Sequence, residues 1–208
     1  MTDDDLELRV AWQRHLGTSR PATGWFESVL AHHRGSGRYY HDRRHITWVV
    51  RHVTTMADHA DDLDAVVAAA FFHDSVYDAT RSDNEVASGR MADLALTELT
   101  WGPARRGHVV AMIEATAYHD VDTADPDTRV LLAADLAVLA TEPPRYADYV
   151  RAVRREYAHV SDADWQVGRS GVLRNLLERT HLYAPSLERH GWEDRARANI
   201  AAELAMLR

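Results

Sequence analysis

The chain has 208 residues, long enough for one compact domain with a sizeable core and short for two. Hydrophobic residues make up 46% and charged residues 27%, and the formal net charge of −8 gives no general pull towards nucleic acid or an anionic membrane. Cysteine is absent, which excludes disulfides, thiolate metal sites and cysteine nucleophiles; all 24 basic residues are arginine, which excludes Schiff-base chemistry and a phosphate-loop lysine.

A phosphate-bearing ligand would then have to be met by arginine, backbone N–H groups or a metal ion held by histidine and carboxylate. The segment 1–10 is acidic and lacks the basic-then-apolar pattern of a signal peptide. No apolar run approaches the roughly 20 residues of a membrane span. The expectation is a cytoplasmic protein with no membrane and no nucleic acid among its partners; oligomeric state is left open.

The pattern is helical almost throughout. Residues 3–16 read as a first helix starting near Asp3 to Asp5, with Pro21 breaking it. A short helix follows through Trp25, Phe26, Val29 and Leu30 and ends at Gly35-Ser36-Gly37. Ile46, Val49, Val50, Val53, Met56 and Ala57 then keep the three-four spacing of one buried face, as do Leu63, Val66, Val67, Ala70 and Phe71. Residues 82–99 open on Ser82 and Glu85, a capping-box pattern. Pro103 suits a helix start, and Val109, Val110, Met112, Ile113 and Thr116 give the next face. Residues 130–140, nearly all apolar, read as a buried central helix. Pro143-Pro144 opens a helix through Tyr146, Tyr149, Val150, Val153 and Tyr157. Ser161 or Asp162 caps one through Trp165, Val172, Leu173, Leu176 and Leu177. The last, about 186–207, uses Trp192, Ala196, Ile200, Leu204 and Leu207. No segment alternates as a strand does, so the fold class is all-α.

Three polar groups interrupt this apolar pattern. His73-Asp74 continues the apolar face of 63–71, and an unpaired buried carboxylate there costs several kcal/mol, on the order of any charge without a partner. A metal ion, an arginine or capping N–H groups would compensate it. Asp135 is the one polar residue in 130–140 and is either a ligand or a satisfied structural hydrogen-bonder. His45 opens the helix of Val49 and Val50, with His41 four residues before it in what reads as loop. His52 and His59 flank the apolar stripe in solvent on this reading, and His15, His32, His33, His159, His181 and His190 are read as surface residues too.

A histidine, an adjacent His-Asp and a distant aspartate on a buried helix is an order that resembles the HD superfamily of metal-dependent phosphohydrolases. Tyr40-His41-Asp42-Arg43-Arg44-His45-Ile46 and Phe71-Phe72-His73-Asp74-Ser75-Val76-Tyr77-Asp78 are similar to the two hallmark segments of a small bacterial subgroup described as predicted HD phosphohydrolases. Asn84-Glu85 with Ser88, Thr116 with His119, Arg154 to Tyr157, Trp165 with Arg169 and Leu173, and Glu193 with Ala196, Arg197 and Asn199 extend the likeness from about residue 20 to the C-terminus.

The resemblance implies a single HD-type helical bundle over 1–208, its core about 20–207, with the helix of 1–19 packed on it. It implies one divalent ion on His45, His73, Asp74 and Asp135. Two imidazoles and two carboxylates suit Mn²⁺, Fe²⁺, Co²⁺, Ni²⁺ or Zn²⁺ better than Mg²⁺. The implied activity is hydrolysis of a small phosphorylated metabolite or nucleotide, such as a nucleoside monophosphate, by metal-activated water. HD families that cleave alarmones carry a Glu-Asp pair just after His-Asp; Tyr77-Asp78 stands here, and the missing glutamate argues against that activity.

Asp78, Glu85 and His119 are the expected proton-handling residues, although Glu85 has a competing role as the capping residue and His119 as a packed histidine. His41, Arg43, Arg44, Thr116 and Arg169 are the expected ligand contacts. Arg169, on an apolar face, needs an anion, either a substrate phosphate or a carboxylate such as Glu193. Two other functions stay open. A di-iron oxygenase would need further histidines, for which only His108 and His119 lie before Asp135; a metal-bound ligand sensor would show no turnover.

Overall fold

A computed structural model of the chain describes residues 3–187 and 191–207, and every regular element among them is helical. In chain order the α-helices are α1 Asp3–His15, α2 Arg20–His32, α3 Arg43–Thr55, α4 Leu63–Phe72, α5 Asn84–Glu98, α6 Pro103–Ala115, α7 Pro126–Leu136, α8 Pro143–Glu156, α9 Asp162–Glu178 and α10 Trp192–Met206. Short 3₁₀ turns follow α3, follow α7 and precede α10. Among the described residues no helix is long and apolar enough to cross a membrane.

The core forms around α4, in which every residue from Ala65 to Phe72 is buried. It packs against α1, α3, α5, α6 and α7. Small alanines at 65 and 68–70 let these neighbours approach on all sides, and Phe71 and Phe72 fill the space beyond them. Trp12 of α1 meets Phe26, Phe71 and Phe72 with ring centroids 5.6, 5.0 and 5.9 Å away. Each such ring contributes on the order of 1.5–3 kcal/mol by leaving water, so α1 is part of the body. α5 and α6 pair closely at Gly89, where a β-carbon would stand 3.2 Å from Val110 Cγ1.

Several boundaries differ from the sequence reading. Pro21 does not break α1; it sits in the first turn of α2 behind the N-cap Ser19, where its missing N–H costs nothing. The capping box at Ser82 and Glu85 does not form, because α5 starts at Asn84 behind Asp83, which makes no side-chain cap bond. The run 130–140 is not one helix. α7 begins earlier, capped by Asp125, and the chain tightens to 3₁₀ over Ala137–Ala140. The start of the last predicted helix and His190 fall partly or wholly outside the described residues.

Candidate metal centre

Three packed helices, α3, α4 and α7, bring the predicted ligands to one point. His45 lies in the first turn of α3, where the Asp42 carboxylate caps the helix by accepting from Arg44 N at 2.8 Å and His45 N at 3.4 Å. His73 ends α4, with Nδ1 2.9 Å from the Ala70 carbonyl. A carbonyl only accepts, so Nδ1 carries the proton and Nε2 presents its lone pair. Asp74 follows directly. Asp135 is the penultimate residue of α7, just before the backbone tightens.

The ligand atoms converge. His45 Nε2 lies 3.1 Å from His73 Nε2, 3.3 Å from Asp74 Oδ2 and 3.2 Å from Asp135 Oδ1. His73 Nε2 lies 3.1 Å from Asp74 Oδ2 and 3.7 Å from Asp135 Oδ1. Ligands about 2.1 Å from one ion stand roughly 3.0–3.4 Å apart at adjacent octahedral or tetrahedral positions; the four distances of 3.1–3.3 Å fall in that range and the His73–Asp135 distance of 3.7 Å is wider. One atom each from His45, His73 and Asp135 lie within 4.8 Å of one another, and Asp74 touches both imidazoles. A buried group of histidine and aspartate able to hold a metal ion is therefore present. Outer partners hold His73 and Asp135, as metal ligands usually require; His45 Nδ1 is buried with no partner among the described residues.

A proton competes for the same atoms. Burial alone would lower the His45 pKa, but its bonds to Asp135 and Asp74 and their charges outweigh that and raise it to about 10. Burial opposes charge on Asp135 as well, yet His119, His45 and His73 hold its carboxyl well below the usual range. Without a cation, the stabilisation from charged His45 is fully present below its unfolded value of 6.5 and is lost as pH rises through about 10. Metal binding must expel that proton. Apparent affinity should therefore rise with pH, by up to about tenfold per unit while His45 is protonated, and calorimetry in buffers of different ionisation enthalpy should register proton release. A pH-independent affinity with no proton released would remove His45 from the ligand set.

Beside the ligands opens a cleft of about 820 Å³ whose wall includes His41, Asp74, Glu85, Thr116, His119 and Asp135. These six residues gather on one wall. His119 Nε2 lies 2.8 Å from Asp135 Oδ2, so the aspartate faces imidazoles with both oxygens. The main chain of His119 is left-handed, with φ 50°, an uncommon conformation for any residue but glycine. Arg179 holds it there by donating to the carbonyls of Tyr118 and His119. Thr116 is buried and its hydroxyl donates to Ile113 O at 2.7 Å.

Other predicted residues lie elsewhere. Asp78 is exposed, and its Oδ1 accepts from Thr80 N at 2.8 Å and Thr80 Oγ1 at 2.7 Å; it caps a turn and is not on the cleft wall. Arg43 pairs with Asp5 at 2.5 Å and Arg44 with Asp42 at 2.8 Å, and both line a separate hollow with Arg34 and Arg38. Arg169 borders the cleft but its guanidinium is spent on Glu203, at 2.7 and 3.0 Å. Glu193, the carboxylate proposed for it, instead accepts from Leu182 N and Tyr183 N and pairs with Arg197. Arg81, the other arginine on the wall, is paired with Asp83. His33 is not a surface residue; it is buried, and burial with the Arg38 charge holds its pKa down.

Two residues that sequence reasoning missed organise the site. Arg38 donates to the carbonyls of His41 at 2.9 Å, Asp74 at 2.7 Å and Ser75 at 3.0 Å, tying the turn before α3 to the His-Asp turn. Glu156, at the end of α8, accepts from the backbone N–H groups of Tyr39, Tyr40 and His41. Its position in the Arg154–Tyr157 segment was the only sequence hint. A second group, His108 with Asp125 and Asp127, lies apart from this centre. Both its aspartates are occupied as caps, of α7 and of the turn before α4.

Comparison of the chain with protein-family models, with curated proteins and with solved structures gives no match.

Proposed function

We propose that the chain is a metal-dependent phosphohydrolase of HD type that cleaves a small phosphate ester, with His45, His73, Asp74 and Asp135 holding one divalent transition-metal ion. The observation that carries this reading is the convergence of the His45 and His73 Nε2 atoms, 3.1 Å apart, with one oxygen each of Asp74 and Asp135 lying 3.1–3.7 Å from both imidazoles, beside an open cleft. When bound, such an ion polarises a phosphoryl oxygen and lowers the pKa of a coordinated water.

The chain's own groups complete the arrangement. His119 holds Asp135 by its second oxygen and fixes the direction of the first. His41 and Glu85 both line the cleft and are the candidates to contact a phosphoryl group or move a proton. Both arginines on the wall are ion-paired, so the ion is the main positive centre for a phosphate. Asp78 is dropped from the catalytic set. The six aromatic side chains on the wall, Tyr40, Tyr77, Tyr118, Tyr149, Tyr157 and Trp165, give it apolar area that suits a nucleoside or sugar attached to the phosphate.

Elemental analysis of protein purified without added metal should find about one ion per chain. A phosphate-release screen over nucleotides and sugar phosphates, with Mn²⁺, Co²⁺, Ni²⁺, Mg²⁺ and Zn²⁺ supplied in turn, should then find turnover that Asp74→Ala abolishes. Two equivalents of iron would favour an oxygenase. Metal-loaded protein that is silent across the whole screen would favour a sensor. No binding under any loading condition would end the metal reading.

A further inference from the structure

Glu156 divides its two oxygens between two tasks. Oε1 accepts from the N–H groups of Tyr39, Tyr40 and His41 at 2.7, 2.7 and 3.0 Å. Oε2 lies 2.7 Å from His41 Nδ1 and accepts from the Tyr77 hydroxyl at 3.0 Å. The side chain has no solvent exposure. Burial would favour its neutral form, but the His41 bond, the His41 charge and the backbone N–H groups lower its pKa to about 2. The carboxylate is therefore ionised at neutral pH and can only accept. The proton on the shared bond belongs to His41 Nδ1.

The His41 ring is fixed from a second direction. Tyr77 stacks on it, with centroids 4.0 Å apart and planes at 28°. Burial and the Glu156 charge raise the Tyr77 pKa, so its hydroxyl stays a donor to Oε2. With Nδ1 committed to a buried carboxylate, Nε2 is the ring nitrogen on the cleft side. Among the described residues it has no hydrogen-bond partner, and the cleft it meets is the one that Asp74 and Asp135 line.

We propose that Glu156 is a positioning residue that locks His41 in the Nδ1–H tautomer, so that Nε2 stands in the cleft as the hydrogen-bond acceptor for a water or hydroxyl beside the His-Asp cluster. The lock itself depends only on the hydrogen bonds just described. Its use in catalysis rests on the phosphohydrolase reading, in which Nε2 accepts a proton from the attacking water while the new P–O bond forms, the ester P–O bond breaks with its electron pair going to the alkoxide, and solvent water protonates that alkoxide to the alcohol.

The division of labour at Glu156 makes one substitution decisive. In Glu156→Gln the three backbone N–H groups hold the amide oxygen where Oε1 stands. The –NH₂ group must then take the place of Oε2, and it donates to His41 Nδ1. The turn stays anchored while the imidazole is forced to the Nε2–H tautomer.

The test is ¹⁵N-histidine NMR of the full chain loaded with Zn²⁺ at pH 8, with the His41 signals assigned by their loss in His41→Asn. We expect protonated Nδ1 in the wild type and protonated Nε2 in Glu156→Gln, with zinc stoichiometry unchanged. A wild-type Nε2–H form, or the same tautomer in both proteins, overturns the proposal. The kinetic arm uses p-nitrophenyl phosphate and the esters found by the screen. Glu156→Gln should lower kcat by about 10²-fold, the low end for a positioned proton acceptor, with KM changed little. A flipped tautomer with unchanged kcat overturns the acceptor role. A correct tautomer in a wild type that turns over no phosphate ester supports the lock and counts against the hydrolase reading alone.

Discussion

Removing the metal is expected to lower the melting temperature of the wild-type chain by about 8–16 °C. A ligand held only by the folded state at a thousand times its Kd stabilises by about 4 kcal/mol, and each kcal/mol moves Tm by roughly 2–4 °C for a chain of this size. Asp135 decides whether this occurs. Its carboxylate is only 14% exposed and faces His45, His73 and His119, so some of its cost is already met by imidazole contacts. With an ion bound, His45 would give up its proton and the ion would take over that compensation. Asp135→Asn keeps a hydrogen-bonding group for His119 but removes the charge and an anionic ligand. The variant should melt close to the chelated wild type and should show little further change with chelator. If wild type and Asp135→Asn each melt at the same temperature with and without chelator, the imidazoles alone satisfy Asp135 and the cluster is a structural ion-pair network.

The parts of this centre that the sequence made legible are those carried by local periodicity. The three-four spacing of Leu63, Val66, Val67, Ala70 and Phe71 placed His73-Asp74 at the inner end of α4, and the apolar company of Asp135 marked it as buried and needing a partner. Periodicity stops being informative where the helix stops. Beyond Phe72 the chain turns, and it is Tyr77 that comes to the cleft while Asp78 faces solvent. Arg43 and Arg44 adjoin His45 in sequence, but a helix sends successive side chains about 100° apart, and they project to Asp5 and Asp42. Glu156 and His41 are 115 residues apart, and no spacing rule joins them. Their pairing comes from how α8 crosses the turn before α3. Arg38 was hidden for a related reason, since its partners are carbonyl oxygens, which every residue carries.

Arg169 was legible as a buried arginine needing an anion, and the anion is Glu203 of α10, because residue spacing within α9 cannot set the register between two helices. The pair tests whether this arginine serves the fold or the ligand. Glu203 is 2% exposed and accepts from Arg169 at 2.7 and 3.0 Å and from the Tyr146 hydroxyl at 2.5 Å. The charge of Glu203, together with Tyr149, raises the Arg169 pKa against the effect of burial, so the guanidinium is permanently charged. Arg169→Met keeps most of the side-chain volume but leaves a buried carboxylate with one neutral donor. Breaking such a pair costs about 3–5 kcal/mol, or a fall in Tm of roughly 6–20 °C. Adding Glu203→Gln should recover much of that loss, because it removes the uncompensated charge and still offers Tyr146 an acceptor. Thermal melts of both variants, with metal content and inorganic phosphate affinity measured on the same samples, separate the two roles. A fold-serving arginine gives the fall and the recovery with phosphate affinity little changed in the double variant. A ligand-serving arginine would melt near wild type after substitution and lose phosphate binding whatever stands at 203.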